Sequence, residues 1–172
     1  FTDKTINELV KACFDMGEVK TGALIVIEQK NRLDEYIRTG INVDAVLSSQ
    51  LLINIFEHNT PLHDGAVVMR GNRIVAATCY LPLSDNMELS KQLGTRHRAG
   101  VGISEVSDSV TIIVSEETGQ ISVAQEGKLE RNVSSAKLRE ILEKAQNKTI
   151  VDNNKLRQLL KGRSKNEGKT DK

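Results

Sequence analysis

Apolar residues near the start of the chain, Ile6, Leu9, Val10, Cys13 and Phe14, recur at helical spacing and predict an amphipathic helix. Thr5-Ile6-Asn7-Glu8 has the form of a capping box for it, and Gly17 marks its end. The period then changes. Gly-Ala-Leu-Ile-Val-Ile-Glu, from Gly22 to Glu28, is a short β-branched run of the kind that forms a buried strand. A short helix over Leu33 to Arg38 and a brief extended piece near Ile41 to Val43 follow. Ser48 or Ser49 then caps a helix whose apolar face is Leu51, Leu52, Ile55 and Phe56.

Pro61 marks the exit from that helix. Two strands, Ala66 to Arg70 and Arg73 to Leu81, are joined by a tight turn at Gly71-Asn72. Beyond Pro82 comes a polar loop, Ser84-Asp85-Asn86, and a short helical segment is predicted near Leu89 to Leu93. Thr95 is placed to cap a helix through about Ser104. Strands are predicted over Ser109 to Ser115 and Ile121 to Ala124, with a turn at Glu126-Gly127 and an extended piece over Lys128 to Val133. Ser134 caps a closing helix carrying Leu138, Ile141, Leu142 and Ala145, with Val133 and Leu138 set for a hydrophobic staple. Strands alternate with helices early and hairpins dominate later. The fold class is therefore mixed α/β, a central mixed sheet with helices on both faces.

A chain of 172 residues with no Trp must build its core from aliphatic side chains. The formal net charge of +1 gives no general case for nucleic-acid binding, but the charge is unevenly spread. From Asn153 onward seven Lys/Arg face two acids, so residues 147–172 read as a basic, flexible tail after a domain over 1–146. That tail lacks the interleaved aromatics of a single-strand binder. Cys13 and Cys79 lie far apart in apolar surroundings and read as reduced core thiols. No apolar run approaches the roughly 20 residues of a membrane-spanning helix.

Candidate chemistry concentrates between Leu62 and Arg98. His63-Asp64-Gly65-Ala66 precedes one strand, and Gly94-Thr95-Arg96-His97-Arg98 opens a helix. A carboxylate suits a hard divalent cation, while the planar fork of an arginine matches phosphate oxygens in pairs. Orphan N–H groups in a first helical turn favour the same anion. Tyr80-Leu81, at a strand end, can wall a slot for a flat ring, with a core aromatic as the plainer role for Tyr80. No Gly-x-x-x-x-Gly-Lys-Ser/Thr is present, which disfavours a Walker-type NTPase.

Taken together, Asp64-Gly65-Ala66, Arg96-His97-Arg98-Ala99 and Ser115-Glu116-Glu117-Thr118-Gly119 closely resemble the catalytic domain of bacterial diadenylate cyclases, over roughly Phe1 to Gln146. The likeness is to the membrane-anchored housekeeping type, with no helix-hairpin-helix DNA-binding region following. It implies the diadenylate cyclase domain fold and the condensation of two ATP into cyclic di-3',5'-adenylate with release of two pyrophosphates. By the same resemblance Asp64, Gly65, Arg96 and Arg98 are catalytic. Tyr80, Leu81, Gly94, Thr95, Arg96, His97, Arg98, Ser115 and Glu117 are expected to bind ATP, with His97 in a structural role. Asp64 and His63 are the metal candidates, for Mg²⁺ or Mn²⁺. Gly100 stands where the family often has alanine.

Because the reaction is symmetric in two nucleotides, a homodimer with facing sites is expected. The resemblance further implies an excised piece from the cytoplasmic face of the bacterial membrane, with transmembrane helices upstream. A membrane-bound regulator and phosphoglucosamine mutase are its implied partners. The competing class is an ATP or cyclic-nucleotide sensing module without catalysis.

Overall fold

The structure, a computed structural model, describes residues 1–166, with side chains described through 148 and at 154–155. In chain order the elements are α1 (Asp3–Glu18), β1 (Ala23–Ile27), α2 (Asp34–Ile37), β2 (Ile41–Val46), α3 (Ser49–Phe56), β3 (Ala66–Arg70), β4 (Arg73–Cys79), α4 (Thr95–Val106), β5 (Val110–Val114), β6 (Ile121–Gln125), β7 (Lys128–Glu130) and α5 (Ser135–Asn166). The strands make one sheet in the order β2-β4-β3-β1-β5-β6-β7. Only β1 and β3 pair in parallel, so the sheet is mixed, as expected.

Continuous apolar runs in β1 and β5 follow from burial on both sides. Ala23, Ile25 and Ile27 join Leu9, Cys13, Leu52, Phe56, Leu138 and Leu142 in the core under α1, α3 and α5. Leu24 and Val26 turn the other way, into a second core with Ala99, Val101 and Ile103 of α4 and Leu33 beside α2. Each fully buried aliphatic contributes about 1.5–3 kcal/mol, far more than any helix propensity. Packing against the sheet therefore decides where the helices lie.

Several local expectations are corrected. The cap of α1 is Thr2, whose hydroxyl accepts from the Thr5 N–H, and no Thr5–Glu8 box forms. Thr5 instead donates to Asn72 at 2.7 Å, and the Glu8 carboxylate accepts from the Ser49 N–H at 2.6 Å. Glu8 thus serves the first turn of α3, and those bonds hold its carboxyl below the usual range. Residues 89–93 form turns rather than a helix, and β7 stops at Glu130. Ser48 caps α3, and Ser134 accepts from the Lys137 N–H at the start of α5. Backbone of the expected tail is helical as far as Asn166, continuing α5 across the expected domain end at Gln146, and 167–172 lie outside the described residues.

Register places one end of the sheet for use. Ala66 pairs with Cys79 and Ala23 with Val114, and the parallel Ile25–Val67 pairing sets Ala23 level with Gly65. The residues just before β1 and β3 and just after β4 and β5 therefore emerge along one edge. A bulge shifts β4 against β3 between Ala66 and Val68, with Thr78 at φ 56°. Gly65 answers it at φ +84°, where a Cβ would stand 2.9 Å from the Thr78 carbonyl carbon. Only glycine meets both demands.

The segment after β4 is clamped to α4. The Ser84 N–H donates to the Arg98 carbonyl at 3.0 Å, and the buried Ser84 hydroxyl donates to Glu105 at 2.5 Å. Gly102 is in direct contact, because a Cβ there would overlap the Pro82 carbonyl oxygen. Gly102→Ala is expected to lower unfolding free energy by about 1–3 kcal/mol despite its better helix propensity. Urea unfolding measures the loss, and a methyl group tolerated without loss would show that this contact yields freely.

Candidate active site

A cavity of about 560 Å³ opens at this strand edge. That is within the range of a small-molecule site. Asp64 and Gly65 reach it from the start of β3, Tyr80 and Leu81 from the end of β4, and Ser115 and Glu117 from the end of β5. Gly94, Thr95, Arg96 and His97 complete it from α4. The motifs separated in sequence thus line one space.

Asp64 is exposed, and its Oδ1 accepts from the Gly65 N–H at 3.0 Å. The N-cap of α4 is Gly94, correcting Thr95, which is the first helical residue. No side chain caps this helix, so its first-turn N–H groups lack a side-chain acceptor, and Gly94 to His97 line the cavity. Arg96 stands among them and binds Glu116 through Nη1 at 2.7 Å. Arg96 and Arg98 part company here. Residues two apart point to nearly opposite sides of a helix, and Arg98 is not among the residues lining the cavity. Its carbonyl accepts from the Ser84 N–H.

His97 is 8% exposed and lines the cavity. Burial, then the nearby Arg131 and Arg96 charges, lower its pKa against an opposing pull from Glu117. The imidazole is therefore neutral near pH 7 and able to donate one hydrogen bond and accept another. His63 is placed elsewhere. Its Nδ1 lies 2.6 Å from the Thr60 carbonyl and its ring meets His58 edge to face, within a second cavity of about 550 Å³. A carbonyl only accepts, so Nδ1 carries a proton toward it.

Tyr80 is 75% exposed, which excludes a core role, and its N–H donates to the Thr39 hydroxyl. The Ser115 hydroxyl accepts from the Glu117 and Thr118 N–H groups at 3.2 Å, so it organises the β5–β6 turn while lining the cavity. Glu116, Gln92, Thr118, Gln120, Ser122 and Arg131 line the cavity without having been expected there. Arg131 offered no signal, since it follows a strand with no motif around it. Glu116 was within a quoted motif, but only its ion pair with Arg96 distinguishes it from its neighbours.

No group of three or more His, Cys, Asp or Glu able to hold a metal occurs among the described residues. Mg²⁺ commonly needs only one or two carboxylates, with substrate phosphates and water completing its shell. Asp64 and Glu117 on one cavity fit that kind of ion, and His63 is not brought to it.

Residues 10–129 match the family model DAC, described as DisA bacterial checkpoint controller nucleotide-binding. The chain belongs to the diadenylate cyclase domain family. It is 53% identical over 160 residues to "Cyclic di-AMP synthase CdaA" of Bacillus subtilis, covering 93% of this chain and 59% of that protein. It is 56% identical over 137 residues to a "Diadenylate cyclase" of Listeria monocytogenes, covering 80% of this chain and 50% of that one. The chain thus spans between half and three-fifths of these curated relatives. Among solved structures, a cysteine double mutant of DacA from Staphylococcus aureus superposes with a TM-score of 0.82 at 52% identity, covering 83% of this chain and 95% of that one. The cyclase-family domain also matches a hypothetical membrane spanning protein from Bacillus cereus, with a TM-score of 0.72 at 43% identity over 74% of this chain and 63% of the other. Among the described residues no helix is long and apolar enough to cross a membrane.

The His97 environment has a pH signature. The unfolded chain takes up this proton near pH 6.5 and the folded chain only at lower pH. Its contribution to stability is present above 6.5 and is lost as pH falls through the folded pKa. Denaturant unfolding at a series of pH values is expected to show this loss in the native chain and a flatter profile in His97→Asn.

Proposed function

We propose that this chain is the catalytic part of a diadenylate cyclase, joining two ATP into cyclic di-3',5'-adenylate and releasing two pyrophosphates. The observation that carries the reading is one cavity lined at once by Asp64, by the uncapped start of α4 with Arg96, and by Tyr80 and Leu81. The names of the relatives, cyclic di-AMP synthase and diadenylate cyclase, support the choice of reaction.

Adenine packs against Tyr80 and Leu81, with the Leu81 backbone available to its edge. Arg96 and the first N–H groups of α4 hold the phosphates, and neutral His97 adds a hydrogen bond without competing for charge. Ser115 keeps the turn that presents Glu117 toward the ribose. Phosphoryl and nucleotidyl transfer ask mainly for this positioning and charge neutralisation. Asp64 is the principal residue to hold the divalent ion, Mg²⁺ or Mn²⁺. When bound, that ion supplies a lowered pKa for the attacking 3'-hydroxyl and charge neutralisation at the α-phosphate.

One cavity with one Asp64 and one Arg96 takes one nucleotide, whereas the product joins two. Two copies therefore face each other about a two-fold axis. Exposed apolar side chains at Tyr80, Leu83 and Met87, the first two on the cavity itself, give the facing copy a surface to cover. A membrane-anchored setting, with this domain on the cytoplasmic side, belongs to the same proposal.

Incubation with ATP and Mg²⁺ or Mn²⁺, followed by chromatographic separation of nucleotides, tests the reaction. Asp64→Asn is expected to lower turnover by at least about a hundredfold. Its melting temperature should not move, because Asp64 is exposed. A sensing module would retain its output in the same variant. The facing-copy arrangement predicts that dilution lowers specific activity more steeply than ATP binding, and concentration-independent turnover by a proven monomer would refute it.

A further inference from the structure

We infer that Glu116 is a displaceable counter-ion of Arg96: the terminal phosphates of the bound nucleotide take its place on the guanidinium, and its return helps to expel pyrophosphate. The inference rests on the reading that this cavity holds a triphosphate.

Within the Arg96–Glu116 pair the cation is fixed and the anion is free to leave. The Arg96 side chain is 23% exposed and lies against Gly22, where a Cβ would stand 2.8 Å from Nη1 and 2.9 Å from Cζ. Gly22 is therefore the floor of a seat for the guanidinium. Glu116 is 62% exposed on the β5–β6 turn, so its carboxylate can swing into water with little desolvation to recover.

The pair is also incomplete. One contact at 2.7 Å, Nη1 to Oε2, joins the two groups, and the Arg96 Nε is buried with no hydrogen-bond partner. A guanidinium satisfied at one corner only is held ready for an acceptor with more oxygens. Phosphates supply them in pairs and carry more charge than a carboxylate. Arg96 and Glu116 line both the main cavity and the second one beside Lys20 and His63, so an anion replacing Glu116 has room on either side.

Two roles for Glu116 differ in sign. A strut that merely orients Arg96 would, when removed, weaken phosphate binding. A competing anion would, when removed, strengthen it. Calorimetric titration of the full chain with inorganic pyrophosphate and Mg²⁺ separates them in the native protein, Glu116→Gln and Glu116→Ser. Both variants are expected to bind pyrophosphate about fivefold more tightly, the scale of an exposed ion pair. KM for ATP and kcat should fall together, because product leaves more slowly. Unchanged or weaker pyrophosphate binding in a variant with a native melting temperature would overturn the proposal. Should the native chain make no cyclic dinucleotide, the reaction assigned above fails, while the pyrophosphate titration still decides the role of Glu116.

Discussion

Parallel pairing of β1 with β3 is the constraint on which the site depends. Because these two central strands start at the same level, and β4 and β5 run antiparallel outside them, four chain segments emerge along one edge. Asp64, Tyr80 and Ser115 owe their common cavity to that register and to nothing in their local sequence. A slip of one residue in β3 would send Val67 and Met69 to the opposite core and Asp64 out of line with the rest. The two separate apolar cores make such a slip expensive, so packing on both faces protects the geometry at the edge.

The elements were readable because their periodicities were strong. Buried runs in β1 and β5 and the apolar stripe of α1 leave little choice of structure, and the turn at Gly71-Asn72 has the chemistry of a hairpin. What failed was decided by tertiary partners. Thr5 and Glu8 make a plausible capping box locally, yet both side chains find better acceptors or donors across the fold, at Asn72 and Ser49. Residues 89–93 have helical composition but serve as the wall of a cavity, with Gln92 and Leu93 lining it. Local propensity is a weak prior beside such contacts.

The Arg-His-Arg motif shows how a helix parts residues that sit together in sequence. Three consecutive polar side chains at a helix start invite the idea of a shared ligand, but successive residues step about a third of a turn around the axis. Only Arg96 and the side chain after it meet the cavity, and Arg98 ties the Tyr80–Ser84 segment to α4 through its carbonyl. Gly100 and Gly102 belong to the same logic. The first lies against the Ile113 side chain and the second against the Pro82 backbone, so at Gly102 the helix approaches the loop more closely than alanine would allow. Weak helix formers are tolerated because close approach sets the cavity's shape.

Electrostatics then explain how the site is built. An uncapped helix start, a seated guanidinium and Arg131 near His97 concentrate positive charge around one cavity. Glu116 and Glu117 on one turn offset that charge while leaving the cationic groups in place. Their placement has opposite consequences for the two ends of the reaction. On the proposed reading, arriving triphosphate would have to outcompete a carboxylate, which weakens its binding slightly, and departing pyrophosphate would be opposed by the same carboxylate, which hastens its loss. In that reading each of two facing sites releases one pyrophosphate for each product formed, and the site gains more from the second effect than it loses from the first, provided nucleotide is abundant.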